Sequence, residues 1–455
     1  MIYDFVIIGA GPIGSTLAKF LSNKYKVCII DKAEKKKNVQ NLPYGSVSNK
    51  KYQPVFSGIL GGNSELWNNK VFLMTKNEFD SGIWNFDFKE LFKNSELLRK
   101  KLNISKFYPK IEHLKETQFK TSISIRTNLN NVFNFLQIKK NKNIDIIHET
   151  SPIYFDFDSK KKNITSVILK NKQKKISRVF IKKNIIFACG GLGNAHVVLN
   201  LLHQIKKNIP KIFFKDHAHV TLGNFKKKQV SLFLKFAKYF ITKKKIEKNI
   251  YLETKIKKQN FFTVIQLSKN SPDDLLRKTQ ILDKKINFFK IFRNLLIYYF
   301  KRIYFFILNQ IDQNYAFEFA FSENVNHSTI TLSKKKDEFG FKKINVNWNL
   351  NKKVLLAYIN IINFFLKKNN FKFDQNNLTN DIKKKLWSGQ HPSCSTPINS
   401  KKNIVGVDKD LKFHNFENIY ICGSSVFPIN GFTNPTWTAM VLSFRLANHL
   451  LKKHK

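Results

Sequence analysis

The chain is short of acid. Against 80 lysines and arginines stand 31 aspartates and glutamates, a formal net charge of +49 at pH 7 over 455 residues. Such an excess could serve nucleic acid or an anionic membrane. The lysines, however, come in small scattered clusters (35–37, 160–162, 226–228, 383–385), and no zinc-finger spacing, basic zipper or RNA-stacking motif accompanies them. Asn, Ile and Phe are also abundant, so compositional drift accounts for the charge better than a dedicated polyanion site does. Cysteine is scarce too. Cys28, Cys189, Cys394 and Cys422 form no Cys-x-x-Cys pair, which argues against a disulfide framework or a metal site and makes a reducing cytoplasm the expected compartment. Long apolar runs are missing. The most apolar stretch, 286–308, has at most seven residues (294–300) between basic side chains, too few to cross a bilayer. It reads either as a helix packed on a core or as an amphipathic helix lying on a membrane surface. A secretory signal is not expected, because the first strand begins at residue 2 or 3. What remains is ample for globular folding: 42% hydrophobic residues, with 44 Phe, enough for two or three domains' worth of core.

The N-terminus carries the first motif. An apolar strand, Asp4-Phe5-Val6-Ile7-Ile8, runs into Gly9-Ala10-Gly11-Pro12-Ile13-Gly14, and an apolar-periodic helix follows. A second strand ends at Asp31. In this pattern Gly9 permits the turn, Gly11 lets backbone approach a pyrophosphate and Gly14 allows close helix–strand packing; Asp31 is placed to accept from a ribose hydroxyl. Gly9, Gly11, Pro12, Gly14 and Asp31 are therefore candidate nucleotide contacts.

A second motif lies at the other end. Ile419-Tyr420-Ile421-Cys422 leads into Gly423-Ser424-Ser425, a loop, and then Asn434-Pro435-Thr436 opening an apolar helix. Pro435 suits the first helical position, and the free amides of that helix start would face whatever occupies the loop. Between the two ends, Gly61-Gly62-Asn63-Ser64-Glu65-Leu66-Trp67-Asn68 could lay backbone against a flat ligand, or be an ordinary glycine loop. The buried strand Ile185-Ile186-Phe187-Ala188 enters Cys189-Gly190-Gly191 and another helix, as a strand reaching the same nucleotide from its far side would.

Taken in order and spacing, these four segments resemble the glucose–methanol–choline (GMC) oxidoreductases, a family of FAD-dependent alcohol oxidases and dehydrogenases. A further stretch, Glu318 to Trp348, is similar to a strand–turn–strand of that family's substrate domain, while 225–315 matches nothing familiar. The resemblance implies an α/β chain. A Rossmann-like FAD-binding domain would be built from 1–80, 130–215 and 385–455, with an antiparallel-sheet substrate domain from 81–129 and 216–384. It implies FAD contacts at the residues above and at Gly61, Gly62, Ser64, Asn68, Gly190, Gly423, Ser424, Ser425, Asn434, Pro435 and Thr436. FAD rather than a nicotinamide is expected because the C-terminal block supplies a second contact surface. The implied catalytic pair is His391, in Gly389-Gln390-His391-Pro392-Ser393-Cys394, as base for a hydroxyl proton while hydride leaves carbon, and Asn434 as a positioning donor to the alcohol oxygen.

Two departures from the family pattern bear on function. Cys394 stands where most relatives have glycine, so no relative's substrate can be transferred. Leu66 stands where members with covalent flavin have histidine, so the flavin is expected to be dissociable. Asp216-His217-Ala218-His219 resembles the family's Asp-His turn; its alternating histidines could ligate metal, but no third ligand is evident and no metal is expected. The leading expectation is an enzyme acting on a small alcohol or sugar-like donor and passing electrons to an acceptor the sequence does not name. The alternatives are a flavoprotein of this fold that has lost alcohol oxidation, and a basic protein of membrane or polyanion surfaces. A peripheral membrane contact through 286–308 would suit a lipid-linked alcohol.

Overall fold

The structure is a computed structural model. It describes residues 1–34, 39–49, 51–67, 69–104, 112–113, 120–127, 129–205, 209–226, 228–231, 246–256, 259–269, 314–322, 327–371, 375–399 and 405–455. The apolar stretch 286–308 and Asn68 lie outside the described residues.

The strand Ile2–Ile8 is buried along most of its length, and it pairs in parallel with Val27–Ile30 on one side and with the second half of Ile176–Phe187 on the other. Ile144–Ile147 extends the sheet beyond Val27–Ile30, and Ile419–Ile421 extends it beyond Ile176–Phe187, both in parallel. Near-continuous Val, Ile and Phe in these strands fits a sheet covered on both faces. The first half of Ile176–Phe187 pairs instead with an antiparallel hairpin, Thr150–Phe157 and Ile164–Asn171, completing a seven-stranded sheet. Sequence-distant strands thus end side by side: those before Gly9, Cys189 and Gly423 are adjacent, all parallel, and open at the same edge.

An eight-stranded antiparallel sheet forms the other main layer, in the order Leu386–Ser388, Ala218–Lys226, Asn314–Phe321, Gln259–Lys269, Ile246–Ile256, Lys120–Arg126 and Lys70–Val71, with Glu112–His113 also on Lys120–Arg126. Its two faces follow from strict alternation. Phe317, Phe319 and Phe321 are buried under the helix Lys352–Lys368, where Tyr358 stacks on Phe321 at 4.3 Å and Phe365 meets Phe319 edge-on at 5.4 Å. Tyr358 and Phe365, seven positions apart, present one helical face. Glu318 points to the opposite side, as does His219 between buried Ala218 and Val220. A four-stranded sheet joins Ile212–Phe214, Ser328–Lys336, Lys342–Asn347 and Gly45–Val47.

Segments distant in sequence interleave. Gly45–Val47 and Lys70–Val71 pair with strands outside the parallel sheet. The helix Phe88–Lys101 packs on the C-terminal helix Pro435–Lys453. Trp437 Nε1 donates to Ser95 Oγ at 2.9 Å, and Arg445 Nε donates to Glu90 Oε1 at 2.6 Å. The reason is burial: Leu91 and Leu98 on one face of that helix join the same apolar core as Leu17, Phe20 and Phe444. No helix among the described residues is long and apolar enough to cross a membrane.

Candidate active site

The glycine-turn end of the parallel sheet is built on backbone proximity. A Cβ on Gly14 would stand 1.9 Å from the Gly9 carbonyl oxygen, and one on Gly9 would stand 2.6 Å from the Ala188 oxygen. Helix, turn and neighbouring strand therefore meet only because both side chains are missing. Asp31 accepts from the Ala10 amide through Oδ2 and from the Ala33 amide at 2.7 Å through Oδ1. Burial pushes its carboxyl up, against those two amides and Lys32. Each oxygen keeps a further lone pair able to accept from a hydroxyl group. Pro12 opens the helix Pro12–Leu21. The Gly61 amide donates to Ala10 O at 3.0 Å, and a Cβ on Gly62 would lie 3.2 Å from Gly11 Cα, so the Gly61-Gly62 loop rests on the Gly9–Gly14 turn.

The remaining strand ends are tied together by Asn194, which the sequence reading passed over. Its Oδ1 accepts from Cys189 N at 2.8 Å, and its Nδ2 donates to Cys422 O at 3.0 Å and to Ser425 Oγ at 2.8 Å. Gly190 and Gly423 consequently lie together, a Cβ on Gly423 falling 3.8 Å from Gly190 Cα. Ser425 is buried with its hydroxyl taken by Asn194, and Ser64 is buried with its hydroxyl between Gly61 O and Val132 N. These two hydroxyls support the loops from inside.

His391 is presented by an excursion between two paired stretches. Leu386–Ser388 pairs with Ala218–Val220, and the Gly389 amide still donates to His217 O at 2.7 Å. Pairing resumes at Ser393, which exchanges both backbone hydrogen bonds with Lys215 at 2.9 and 3.0 Å. Gln390, His391 and Pro392 lie between, with Gln390 at φ +62°. The excursion would leave amides unpaired, and Asp216 takes them. Its Oδ1 accepts from His391 N at 2.8 Å and His217 N at 2.7 Å, and its Oδ2 accepts from Ser388 Oγ at 3.0 Å. Burial nevertheless pushes the Asp216 carboxyl up to about 7.

The loop is also fastened to the C-terminal block. Ser424 Oγ donates to Pro392 O at 2.8 Å, Cys394 N donates to Ser424 O at 3.1 Å and Thr396 N donates to Ser425 O at 2.8 Å. Cys394 is buried at φ +61°, a left-handed conformation that costs a non-glycine residue about 1–2 kcal/mol. The backbone has kept the shape that glycine would favour.

The imidazoles form a short chain. His391 Nδ1 lies 3.3 Å from His217 Nδ1, and the rings meet edge-on with centroids 5.0 Å apart. The Asn430 amide is assigned with its oxygen 3.2 and 3.3 Å from the Asp216 and His217 amides, and its nitrogen 3.0 Å from Gly431 O and 2.6 Å from His217 Nε2. The reverse assignment would set its oxygen against a carbonyl. Burial, and secondarily the charge of His219, pushes His391 down to about 3; burial, then the charges of His391 and His219, holds His217 well below the usual range. Both rings are neutral at physiological pH. Behind them His219 Nδ1 meets Glu318 Oε1 at 2.8 Å across adjacent strands. No group of three or more His, Cys, Asp or Glu among the described residues is arranged to hold a metal.

Asn434 caps the helix Pro435–Lys453 without a side-chain cap bond, and neither it nor Thr436 makes a side-chain hydrogen bond recorded among the described residues. The loop before it is held by buried Glu78. Oε1 of Glu78 accepts from Phe432 N at 2.7 Å and Thr433 N at 3.3 Å, while Oε2 accepts from Thr75 N at 2.8 Å and Thr75 Oγ1 at 2.9 Å. Sequence reasoning missed Glu78, Asn194 and Asn430, and read Asp216-His217 as a turn resembling the family's, with His217 and His219 weighed only as metal ligands. The Asp-His pair ahead of an alternating strand was one signal available, and the capping-box pattern Thr75-Lys76-Asn77-Glu78 was another for Glu78; for Asn194 and Asn430 there was none.

Comparison with known proteins agrees with this architecture. Residues 325–443 match the sequence profile of the family described as GMC oxidoreductase. The structure of formate oxidase from Aspergillus oryzae, studied for FAD modification in an R554A mutant, is similar with a TM-score of 0.64 at 12% identity, over 100% of this chain and 98% of that one. Pyridoxine 4-oxidase from Mesorbium loti is similar with a TM-score of 0.66 at 10% identity, over 99% and 100%. No curated protein sequence matches the chain. Residues 325–443 thus carry the sequence of the GMC oxidoreductases, and the chain as a whole has the Rossmann-like GMC fold.

Proposed function

We propose that this chain is an FAD-dependent oxidoreductase that takes hydride from the CH–OH carbon of an alcohol or sugar-like donor. The residues present suit FAD. A Cβ at Gly11 or Gly190 would meet no atom within 4 Å, so both glycines border open space at the edge where three parallel strands end. Backbone amides at the start of the helix after Gly11 favour a pyrophosphate there. Gly61, Gly62 and Gly423 would line the same space, and Leu66, 36% exposed, offers no atom for a covalent flavin bond. Bound FAD would supply the hydride acceptor.

The observation that carries the reading is the setting of His391. It is a neutral imidazole whose amide, outer ring neighbour and following carbonyl are all held, on a loop fastened to Ser424 beside the glycine-bordered space. Nε2 makes no hydrogen bond among the described residues and is the ring atom left to meet a donor's hydroxyl oxygen. Asn434, with an uncommitted amide at a helix start, would orient the same oxygen. The similar solved structures are named for oxidation of formate and of pyridoxine, so the fold does not choose a donor. Cys394 at the left-handed position favours a second reading, a flavoprotein that has lost this oxidation. Anaerobic mixing of the purified yellow protein with a panel of alcohols and sugars separates the two. Bleaching of the flavin by a panel member supports the enzyme; FAD bound without bleaching by any CH–OH compound supports the second.

A further inference from the structure

The chain Asn430–His217–His391 determines where the His391 proton sits, a matter that rests on the reading of His391 as the group facing the donor. Asn430 Nδ2 has two hydrogens and two neighbours, Gly431 O at 3.0 Å and His217 Nε2 at 2.6 Å. His217 Nε2 must therefore accept. A neutral imidazole with a bare Nε2 carries its proton on Nδ1. That proton points along the 3.3 Å line to His391 Nδ1, which accepts in turn. The remaining hydrogen of neutral His391 is then on Nε2, facing away from this chain. Which nitrogen of a histidine is protonated is set by the bond made at the other one, and here a side-chain amide one residue further back does the setting.

We propose that Asn430 is a positioning residue that, through His217, holds the hydrogen of neutral His391 on Nε2. With the amide as described, Nε2 carries hydrogen and suits an acceptor oxygen, such as that of a carbonyl product. The turned-over amide, which would bare His391 Nε2, sets Asn430 Oδ1 against Gly431 O and its Nδ2 against the Asp216 and His217 amides, so the described form prevails. The titratable and charged groups around the chain are Asp216, whose Oδ1 takes both backbone amides, His219, and Glu318 bonded to His219.

The test reads protonation directly and needs no donor. The full-length protein is labelled with ¹⁵N-histidine, and two-bond ¹H–¹⁵N spectra show which ring nitrogen of each histidine bears hydrogen; His391→Ala and His217→Ala identify the two signals. We expect His217 protonated on Nδ1 and His391 on Nε2 near neutral pH. Once ionised, Asn430→Asp can only accept at that position, so above the titration of the new carboxyl it should move the His217 hydrogen onto Nε2. Asn430→Ala should leave each ring averaging between the two forms. His391 protonated on Nδ1 in the unmodified protein would overturn the proposal, as would a spectrum unchanged in Asn430→Ala. If Asn430→Asp does not fold, the unmodified protein and Asn430→Ala still decide. Loss of alcohol-driven bleaching alone would count against the proposed function and leave this assignment standing.

Discussion

Glu78 offers the sharpest energetic test, because a buried carboxylate holds the loop that leads into Asn434. Burial pushes its carboxyl from the ordinary 4.5 up to about 7, against four hydrogen bonds that favour the charged form. A folded-state value above the unfolded one means the folded chain holds the extra proton between them. Stability from this group is therefore fully present below pH 4.5 and is lost as pH rises toward 7. At about 1.4 kcal/mol per pH unit, the difference amounts to about 3 kcal/mol. Glu78→Gln removes the titration and replaces one acceptor oxygen with an NH₂ group facing N–H donors. Leaving two amides, or an amide and a hydroxyl, without an acceptor should cost about 1–3 kcal/mol per group. Urea unfolding of both proteins, followed by tryptophan fluorescence from pH 4.5 to 8, checks this. The wild type should lose about 3 kcal/mol relative to the variant between pH 4.5 and 7, since only the wild type loses stability from Glu78. A gap that is constant with pH would refute the argument, because Glu78 would then have the same affinity for protons folded and unfolded. Other titrating groups, among them His391, His217 and Asp216, cancel in the difference.

Further outcomes follow from the same geometry. A Cβ on Gly191 would stand 2.0 Å from Pro392 O, so Gly191→Ala must shift the His391 loop by about 1 Å; flavin reduction by an oxidisable donor should slow about 10²-fold while FAD stays bound. His391→Ala should slow that reduction by about 10²-fold or more, measured by anaerobic stopped flow, and Asn434→Ala should slow it as well. The double variant should be little worse than His391→Ala, because both groups would act on one oxygen; full activity in either single variant would remove it from the catalytic pair. Heat or acid denaturation should release FAD into the supernatant, and flavin remaining on the precipitated chain would contradict non-covalent binding.

Much of the architecture was legible because its signals are local. A strand, a glycine turn, a helix and an acid follow one another within the first 31 residues, and Gly14 is required by the Gly9 carbonyl five residues before it. The alternation of Phe317, Phe319 and Phe321 with Glu318, and the helical spacing of Tyr358 and Phe365, likewise need only periods of 2 and 3.6. His391 and Asn434 could be named because the residues around them resemble a known family. The interleaving of segments could not be read, since the helix Phe88–Lys101 is amphipathic on any surface and only packing chooses the C-terminal helix for it. Nor could the arrangement around His391. Asp216 reaches its amide across 175 residues, and Asn194, Asn430 and Glu78 are ordinary polar residues by sequence. Their roles arise from backbone groups that strand pairing leaves unsatisfied inside the fold, and a buried unpaired amide exists only once the tertiary structure has excluded water from it.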